Sequence, residues 1–179
     1  MARTNTAGDL IKDIQLLARQ AISRGIREIV ERTHGTAGFE PRPAFPGSAF
    51  ITSAPVPAGG IHAAILLRNR AVVELLDQVR AARGQGMSWE RIAAIPGVLE
   101  GGNAGESPAE RAFYLVAPQE PDSFRPSYTT WCCATCDRSV TDRGPFEAHP
   151  ANNESGHAED CARLAAEVEQ YRREWGEDT

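Results

Sequence analysis

Residues 131–175 read WCCATCDRSVTDRGPFEAHPANNESGHAEDCARLAAEVEQYRREW, and this stretch decides the fold. It holds every cysteine of the chain, namely Cys132, Cys133, Cys136 and Cys161. A Cys-x-x-Cys pair stands near its start, and a His-x-x-x-Cys pair follows after twenty intervening residues. Two such pairs are typical of a four-ligand zinc site, for which the preferred ligands are Cys133, Cys136, His157 and Cys161.

The spacing suits the coordination chemistry of zinc. A Cys-x-x-Cys turn supplies two thiolates from one knuckle, and residues four apart on a helix share a face. We therefore expect a helix that contains both His157 and Cys161. Its apolar stripe would continue through Leu164, Val168, Tyr171 and Trp175. Four protein ligands leave no open coordination position, so the expected Zn²⁺ is structural rather than catalytic.

Two further residues compete for the same roles. Cys132 would form a poorer knuckle with Cys136, because three residues would separate the pair instead of two. His149 would either replace His157 or order the intervening loop by hydrogen bonding.

No P-loop, dinucleotide-binding glycine pattern, Gly-x-Ser-x-Gly or His-Glu-x-x-His motif occurs in the chain, so we expect neither catalytic residues nor an enzyme.

Composition indicates a soluble protein of the cytoplasm. The 179 residues are 41% hydrophobic and 24% charged, as in ordinary globular domains. The N-terminus lacks the apolar segment of a signal peptide, and no apolar run is long enough to span a bilayer, so we expect no membrane partner. In a reducing cytoplasm, clustered cysteines indicate a metal site rather than disulfides.

The N-terminal part is predicted to be one helix followed by an arm. Residues 1–34 form an amphipathic helix in which Leu10, Ile14 and Leu17 recur at helical spacing, and we expect it to pack in a core or to mediate self-association. Residues 35–60 hold five glycines and five prolines. They predict a linker or extended arm, with a short edge strand at Ala49–Ser53.

Residues 61–117 are predicted to form a helical unit. Its first helix runs from Ile61 to about Arg83, and its many apolar residues predict a largely buried element. These residues are Ile65, Leu66, Val72, Val73, Leu75, Leu76 and Val79. A glycine turn follows, and then the stretch SWERIAAIPGV, residues 88–98, for which Ser88 is the expected N-cap. This succession resembles the first two helices of a bacterial helix-turn-helix DNA-binding domain.

The resemblance implies a recognition helix after Val98 and double-stranded DNA as a partner. The next helix starts later than in that family, at the capping box Ser107-Pro108-x-Glu110, and it follows the loop LEGGNAGES. Arginines would supply the phosphate contacts. The candidates are Arg68, Arg70, Arg80, Arg83, Arg91 and Arg111.

Charge is unevenly distributed along the chain. The net charge is −5, so no overall field attracts the protein to DNA. Residues 131–179 carry a balance of −6 and residues 1–130 a balance of +1. Any surface that contacts DNA should therefore precede the acidic module, from which the Pro-rich connector 118–130 separates it.

Residues 131–179 also resemble a C-terminal module of uncharacterised actinobacterial and actinophage proteins, which carry a Gly-His-Ala-Asp/Glu-x-Cys-x-Arg-Leu-Ala helix. The sequence thus predicts a mainly α protein with a long N-terminal helix, a central helix-turn-helix-like unit and a small zinc-stabilised module of knuckle or hairpin plus helix. Its predicted function is that of a DNA-binding accessory or regulatory protein. The alternative is a zinc-stabilised protein–protein interaction module that binds no nucleic acid.

Overall fold

The computed structural model describes residues 7–98, 105–117 and 127–176, without the side chains of Ala7 and Asp9. Most of the loop before Ser107 and residues 118–126 of the predicted connector lie outside the described residues. The described part is mostly helical and includes two small sheets, which confirms the mainly α prediction. The chain divides into two compact units, residues 1–73 and residues 74–179.

The first unit contains α1 (Ala7–His34), β1 (Phe39–Pro43), β2 (Ile51–Pro55) and the first part of α2 (Pro57–Gly84). β1 and β2 pair in antiparallel orientation, so the segment predicted to be a linker or arm is a β-hairpin. Its strand prolines are tolerated because both strands of a two-stranded sheet are edges. α2 begins four residues earlier than expected, since proline is favourable in the first turn of a helix.

α1 and α2 contact each other in antiparallel directions. A Cβ added to Gly59 would lie 3.7 Å from Val30 Cγ1, and one added to Gly25 would lie 3.2 Å from Leu67 Cδ1. Along these contacts the residue number falls in α1 while it rises in α2, so the helices run in opposite directions. Val30 is the one buried side chain among those described in α1.

The prediction that α2 is largely buried is wrong for most of its length. Val79 is 5% exposed, but Ile65, Leu66, Val72, Val73 and Leu75 are 42–50% exposed. Helical spacing identified these residues as a packing face without showing which part of the molecule covers it. None of the described helices is long and apolar enough to cross a membrane.

The second unit has a helical core formed by the last turns of α2, α3 (Trp89–Ala93) and α4 (Pro108–Tyr114). Its centre is a cluster of Ile92, Ala112 and Phe113 with Trp89, whose ring meets that of Phe113 edge to face at 5.3 Å. Both helices start as the sequence predicts. Ser88 caps α3 and Ser107 forms a complete capping box at the start of α4.

The rest of the second unit is a small sheet with two helices. β3 (Thr129–Cys132), β4 (Ser139–Asp142) and β5 (Glu154–Ser155) form an antiparallel sheet in that order. α5 (Pro150–Asn153) precedes β5, and α6 (Ala162–Trp175) follows it. The prediction that one helix contains both His157 and Cys161 is wrong. Cys161 has extended backbone at the N-cap of α6, and Gly156 (φ +101°) starts a separate loop that carries His157.

The end of α2 is tied directly to the knuckle between β3 and β4. The N–H of Ala134 donates a hydrogen bond to the carbonyl oxygen of Gly84 at 2.9 Å. Gly84 also lies against the carbonyl oxygen of Cys132, and a Cβ at this position would collide with that oxygen. Glycine is therefore required at the C-terminal end of α2 because a backbone atom occupies the space of a side chain.

We expect Gly84→Ala to lower the free energy of unfolding by about 1–3 kcal/mol or more, because the added methyl group overpacks rigid backbone. Urea denaturation followed by circular dichroism measures the change. Gly60→Ala is the matched control in the same helix, since its Cβ would lie 3.6 Å from Pro55 Cβ, an ordinary contact. That variant should be neutral or slightly stabilising, and equal effects of the two substitutions would contradict the prediction.

Candidate metal centre

Three separate segments bring the four predicted zinc ligands together. Cys133 and Cys136 come from the knuckle between β3 and β4, His157 from the loop after β5, and Cys161 from the N-cap of α6. One ligand atom from each residue lies within 4.8 Å of all the others. The sequence therefore identified the right residues for the cluster, although two of them reach it from a loop and a cap instead of a helix face.

The distances fit a tetrahedral ion. Cys133 Sγ lies 3.9 Å from Cys161 Sγ, and Cys136 Sγ lies 3.7 Å from His157 Nδ1. Zinc–sulfur bonds of about 2.3 Å in a tetrahedron place two sulfur atoms roughly 3.8 Å apart. These two separations are those expected between ligands of a four-coordinate ion, and all four ligand atoms lie within 4.8 Å of one another.

The knuckle owes its shape to two backbone hydrogen bonds. The N–H of Asp137 donates to the carbonyl of Cys133 at 2.8 Å, and the N–H of Cys133 donates to the carbonyl of Arg138 at 2.9 Å. Asp137 adopts the left-handed conformation, with φ +52°, which closes this tight turn. Both thiols of the Cys-x-x-Cys pair are thereby held toward the same point.

The protein favours the thiolate form of two of the cysteines. The backbone N–H of Ala158, with a smaller contribution from His157, lowers the pKa of Cys136 to about 6 against the cost of burial. Burial opposes ionisation of Cys133, but the backbone N–H groups of Cys136 and Thr135 lower its pKa overall. Because metals bind the thiolate, these contacts prepare the knuckle for an ion.

Glu154 orients the histidine of the cluster. Its Oε2 atom lies 2.8 Å from Nε2 of His157, which leaves Nδ1 directed at Cys136. Burial disfavours the charged imidazole, yet the hydrogen bonds to Glu154 and Cys136 raise the pKa of His157 overall. A carboxylate on the second ring nitrogen fixes the tautomer and direction of a metal-binding histidine.

Arg163 supplies a buried positive charge beside the thiols. Its guanidinium lies 4.6 Å from the centre of the Trp131 ring, and its Nη2 atom pairs with Glu154 at 3.1 Å. Burial opposes its charge, but Glu154, Glu167 and the thiol of Cys133 raise its pKa. Nε and Nη1 are buried without a hydrogen-bond partner among the described residues. Three thiolates, a neutral imidazole and Zn²⁺ carry one net negative charge, which would balance these donors.

Arg83 is not available to DNA, so its assignment as a phosphate-contacting residue is wrong. Its side chain is 7% exposed and pairs with Asp142 at 3.0 Å and with Glu154. The indole N–H groups of Trp89 and Trp131 also donate to Asp142, at 3.2 and 3.1 Å. A guanidinium buried among two carboxylates has a structural role.

The other five arginines are dispersed. Arg68 and Arg70 are exposed on α2 in the first unit, and Arg91 is exposed on α3 in the second. Arg80 is partly buried and lies 3.5 Å from Asp77. Arg111 directs its guanidinium at the backbone carbonyl of Glu106, at 3.2 and 3.3 Å.

The two alternative ligands lie outside the cluster. Cys132 is exposed at the end of β3, between the buried Trp131 on the same strand and the buried Cys133 that follows it. His149 caps α5 by accepting a hydrogen bond from the N–H of Ala151 at 3.3 Å. Its ring also meets that of Tyr171 at 5.0 Å, so it orders the loop.

The residues that support the cluster escaped sequence analysis. Glu154, Asp142 and Arg163 stand among many other charged residues of the module, and Arg83 pairs with Glu154 across 71 positions of sequence. The one local signal is that Glu154 precedes His157 by three residues, a spacing too common to be informative.

Comparisons with protein families, with curated proteins and with solved structures find no match to this chain.

We expect Cys136→Ser and Cys161→Ser each to abolish stoichiometric zinc binding and to unfold residues 127–176, because the energy of a structural metal is folding energy. Elemental analysis of the purified protein gives the metal content, and proteolysis reports unfolding. Cys132→Ser is the matched control and should retain about one zinc per chain. Zinc retention with unchanged melting in the first two variants would contradict the ligand assignment.

Glu154→Gln should weaken zinc binding by about 10–100-fold, because it removes the carboxylate that orients His157. Competition with a chromophoric chelator measures the affinity, and circular dichroism at saturating zinc tests whether the variant remains folded. Glu159→Gln changes an exposed carboxylate in the same loop and should leave the affinity unaltered. Equal affinities for the two variants would show that Glu154 does not position the ligand.

Proposed function

We propose that this chain is a DNA-binding accessory or regulatory protein whose zinc centre is structural. Three cysteines and a histidine whose ligand atoms lie within 4.8 Å of one another offer a donor set that favours Zn²⁺ among common cellular metals. The ion would be held by four protein ligands, which leaves no position for water or substrate. A thiolate centre of this kind suits the reducing cytoplasm, where we place the protein.

The observation that carries the DNA proposal is the packing of α3 on α4. The two helices and the last turns of α2 enclose one core around Trp89 and Phe113. This order of elements is the one that the helix-turn-helix resemblance implies, with α4 in the place of the recognition helix. Ser107 and Pro108 at the start of α4 are exposed, as they must be to approach a groove.

Charge restricts where DNA would be contacted. Residues 1–73 hold nine Lys/Arg and five Asp/Glu, a balance of +4, and the remaining residues carry −9. Arg68 and Arg70 of the first unit are therefore the first candidates for phosphate contacts, and Arg91 is the exposed candidate of the second unit. Few such contacts predict modest affinity with a shallow dependence on salt.

A second candidate function is a protein–protein interaction module that binds no nucleic acid. It is favoured by the exposed apolar side chains of α1 and α2, among them Leu17 and Ile61, which are 64% and 63% exposed. An exposed apolar surface of this extent marks contact with another protein, either a distinct partner or another copy of the chain. Zinc would then only stabilise the C-terminal module.

We expect the full chain to bind random duplex DNA at about 50 mM salt, with log K falling linearly with log salt concentration. Replacing Arg68 and Arg70 together by Ala should weaken binding and reduce that slope by about two, because each arginine neutralises one phosphate. Fluorescence anisotropy with a labelled duplex gives both quantities.

The matched control replaces Arg172 and Arg173 by Ala, which removes the same charge from α6 of the acidic module. We expect its salt dependence to equal that of the unchanged chain. Absence of binding at about 50 mM salt would exclude the DNA function and favour the interaction module. Equal losses in the two double variants would show that overall charge, and not a specific surface, attracts the DNA.

A further inference from the structure

The guanidinium of Arg163 has more hydrogen-bond donors than partners. Its side chain is 8% exposed, and its Nη2 atom pairs with both Glu154 and Glu167, at 3.1 and 3.0 Å. Nε and Nη1 are buried, and neither has a hydrogen-bond partner within the described ranges. Buried donors without an acceptor are costly in a folded protein, so these two nitrogen atoms indicate that a further acceptor belongs beside them.

This guanidinium lies beside the Cys/His cluster. It is 4.6 Å from the centre of the Trp131 ring, and Trp131 packs in one small core with Cys133. Against the cost of burial, Glu154, Glu167 and also the thiol of Cys133 raise the pKa of Arg163, so the thiol and the guanidinium interact. Cys133 is fully buried. A charge on its sulfur must therefore be stabilised by groups of the protein and not by bulk water.

The other buried guanidinium beside the cluster, that of Arg83, cannot supply this stabilisation. Its Nε, Nη1 and Nη2 atoms already donate to Asp142, to the carbonyl oxygen of Met87 and to Glu154, respectively. Of these two buried arginines, Arg163 is the one with unpaired donors. Three thiolates around Zn²⁺ leave one net negative charge in this core, and a buried charge is stable only beside an opposite charge that compensates it.

We infer that Arg163 donates to the thiolate of Cys133 when zinc is bound, and that it thereby makes the centre resistant to electrophiles. This inference rests on the structural zinc centre proposed above. A hydrogen bond from a cation stabilises the electron pairs of a thiolate, which lowers its nucleophilicity. Because the three sulfur atoms share one ion, the effect on Cys133 extends to the other two. Arg163 touches a ligand and not the ion, so it is a positioning residue of the centre.

The absorption spectrum of the full chain loaded with Co²⁺ tests this hydrogen bond. Co²⁺ binds the same nitrogen and sulfur donors as Zn²⁺. Its sulfur-to-metal charge-transfer bands move to lower energy when a donor to sulfur is lost, because the sulfur electrons are then held less tightly. We expect this shift in Arg163→Met. The matched control Arg173→Met removes the same charge from an exposed position of α6 and should leave the bands unchanged.

The rate of zinc release by iodoacetamide measures the resistance to electrophiles. A thiolate sulfur forms a bond to the methylene carbon, iodide leaves, and the resulting neutral thioether no longer holds zinc. We expect Arg163→Met to release zinc about 3- to 10-fold faster than the unchanged chain, whereas Arg173→Met should match it. A chromophoric chelator follows the released zinc. Alkylation of the exposed Cys132 does not contribute, since it lies outside the cluster.

Arg163→Lys is the conservative variant, because it keeps the charge but replaces the planar fork of donors by one ammonium group. We expect a smaller band shift and a smaller increase in rate, and this variant decides the outcome if circular dichroism shows that Arg163→Met does not fold. Bands and rates equal to those of the unchanged chain in the metal-loaded Arg163 variants would overturn the inference. So would the same changes in Arg173→Met. An unchanged chain that binds neither metal would overturn the proposed zinc centre as well.

Discussion

The second unit depends on the charge of Arg83, which lies buried between Asp142 and Glu154. Moving a guanidinium out of water is costly, and the two carboxylates offset that cost only while the surrounding elements hold their places. One carboxylate also holds the indole N–H groups of two tryptophans, and the other holds His157 and Arg163. The helical core and the metal cluster are thus linked through one side chain of α2.

Local sequence patterns predicted the Cys/His cluster and the helix caps, because short spacings along the chain determine both. The four residues of the Cys/His cluster were identifiable because two thiols on a knuckle are separated by two residues. The caps at Ser88 and Ser107 were identifiable because their hydroxyls accept hydrogen bonds from N–H groups three residues later. The helix expected to carry both His157 and Cys161 was not found, because spacing of four residues is also compatible with a loop and a cap.

Tertiary contacts account for what the sequence did not predict. In the sequence, nothing distinguishes Arg83 from a solvated arginine. In the fold it is paired with Asp142 of β4, which lies 59 residues later in the chain. Likewise, the apolar residues of α2 indicate a packing face, but they do not show whether the residues that pack against it belong to the same chain. For the hairpin at residues 39–55 the sequence predicted only an edge strand at Ala49–Ser53, because its prolines are typical of a linker, whereas a two-stranded sheet accommodates them at its edges.

The position of the aromatic rings gives the molecule an internal optical reporter. Trp131 lies 5.7 Å from His157, and both Trp131 and Trp89 share Asp142 as acceptor, while the third tryptophan, Trp175, is largely in water. The emission of the two buried indoles consequently depends on the same carboxylate that anchors the helical core. Indole fluorescence therefore registers the state of the cluster and of the core together, without any attached dye.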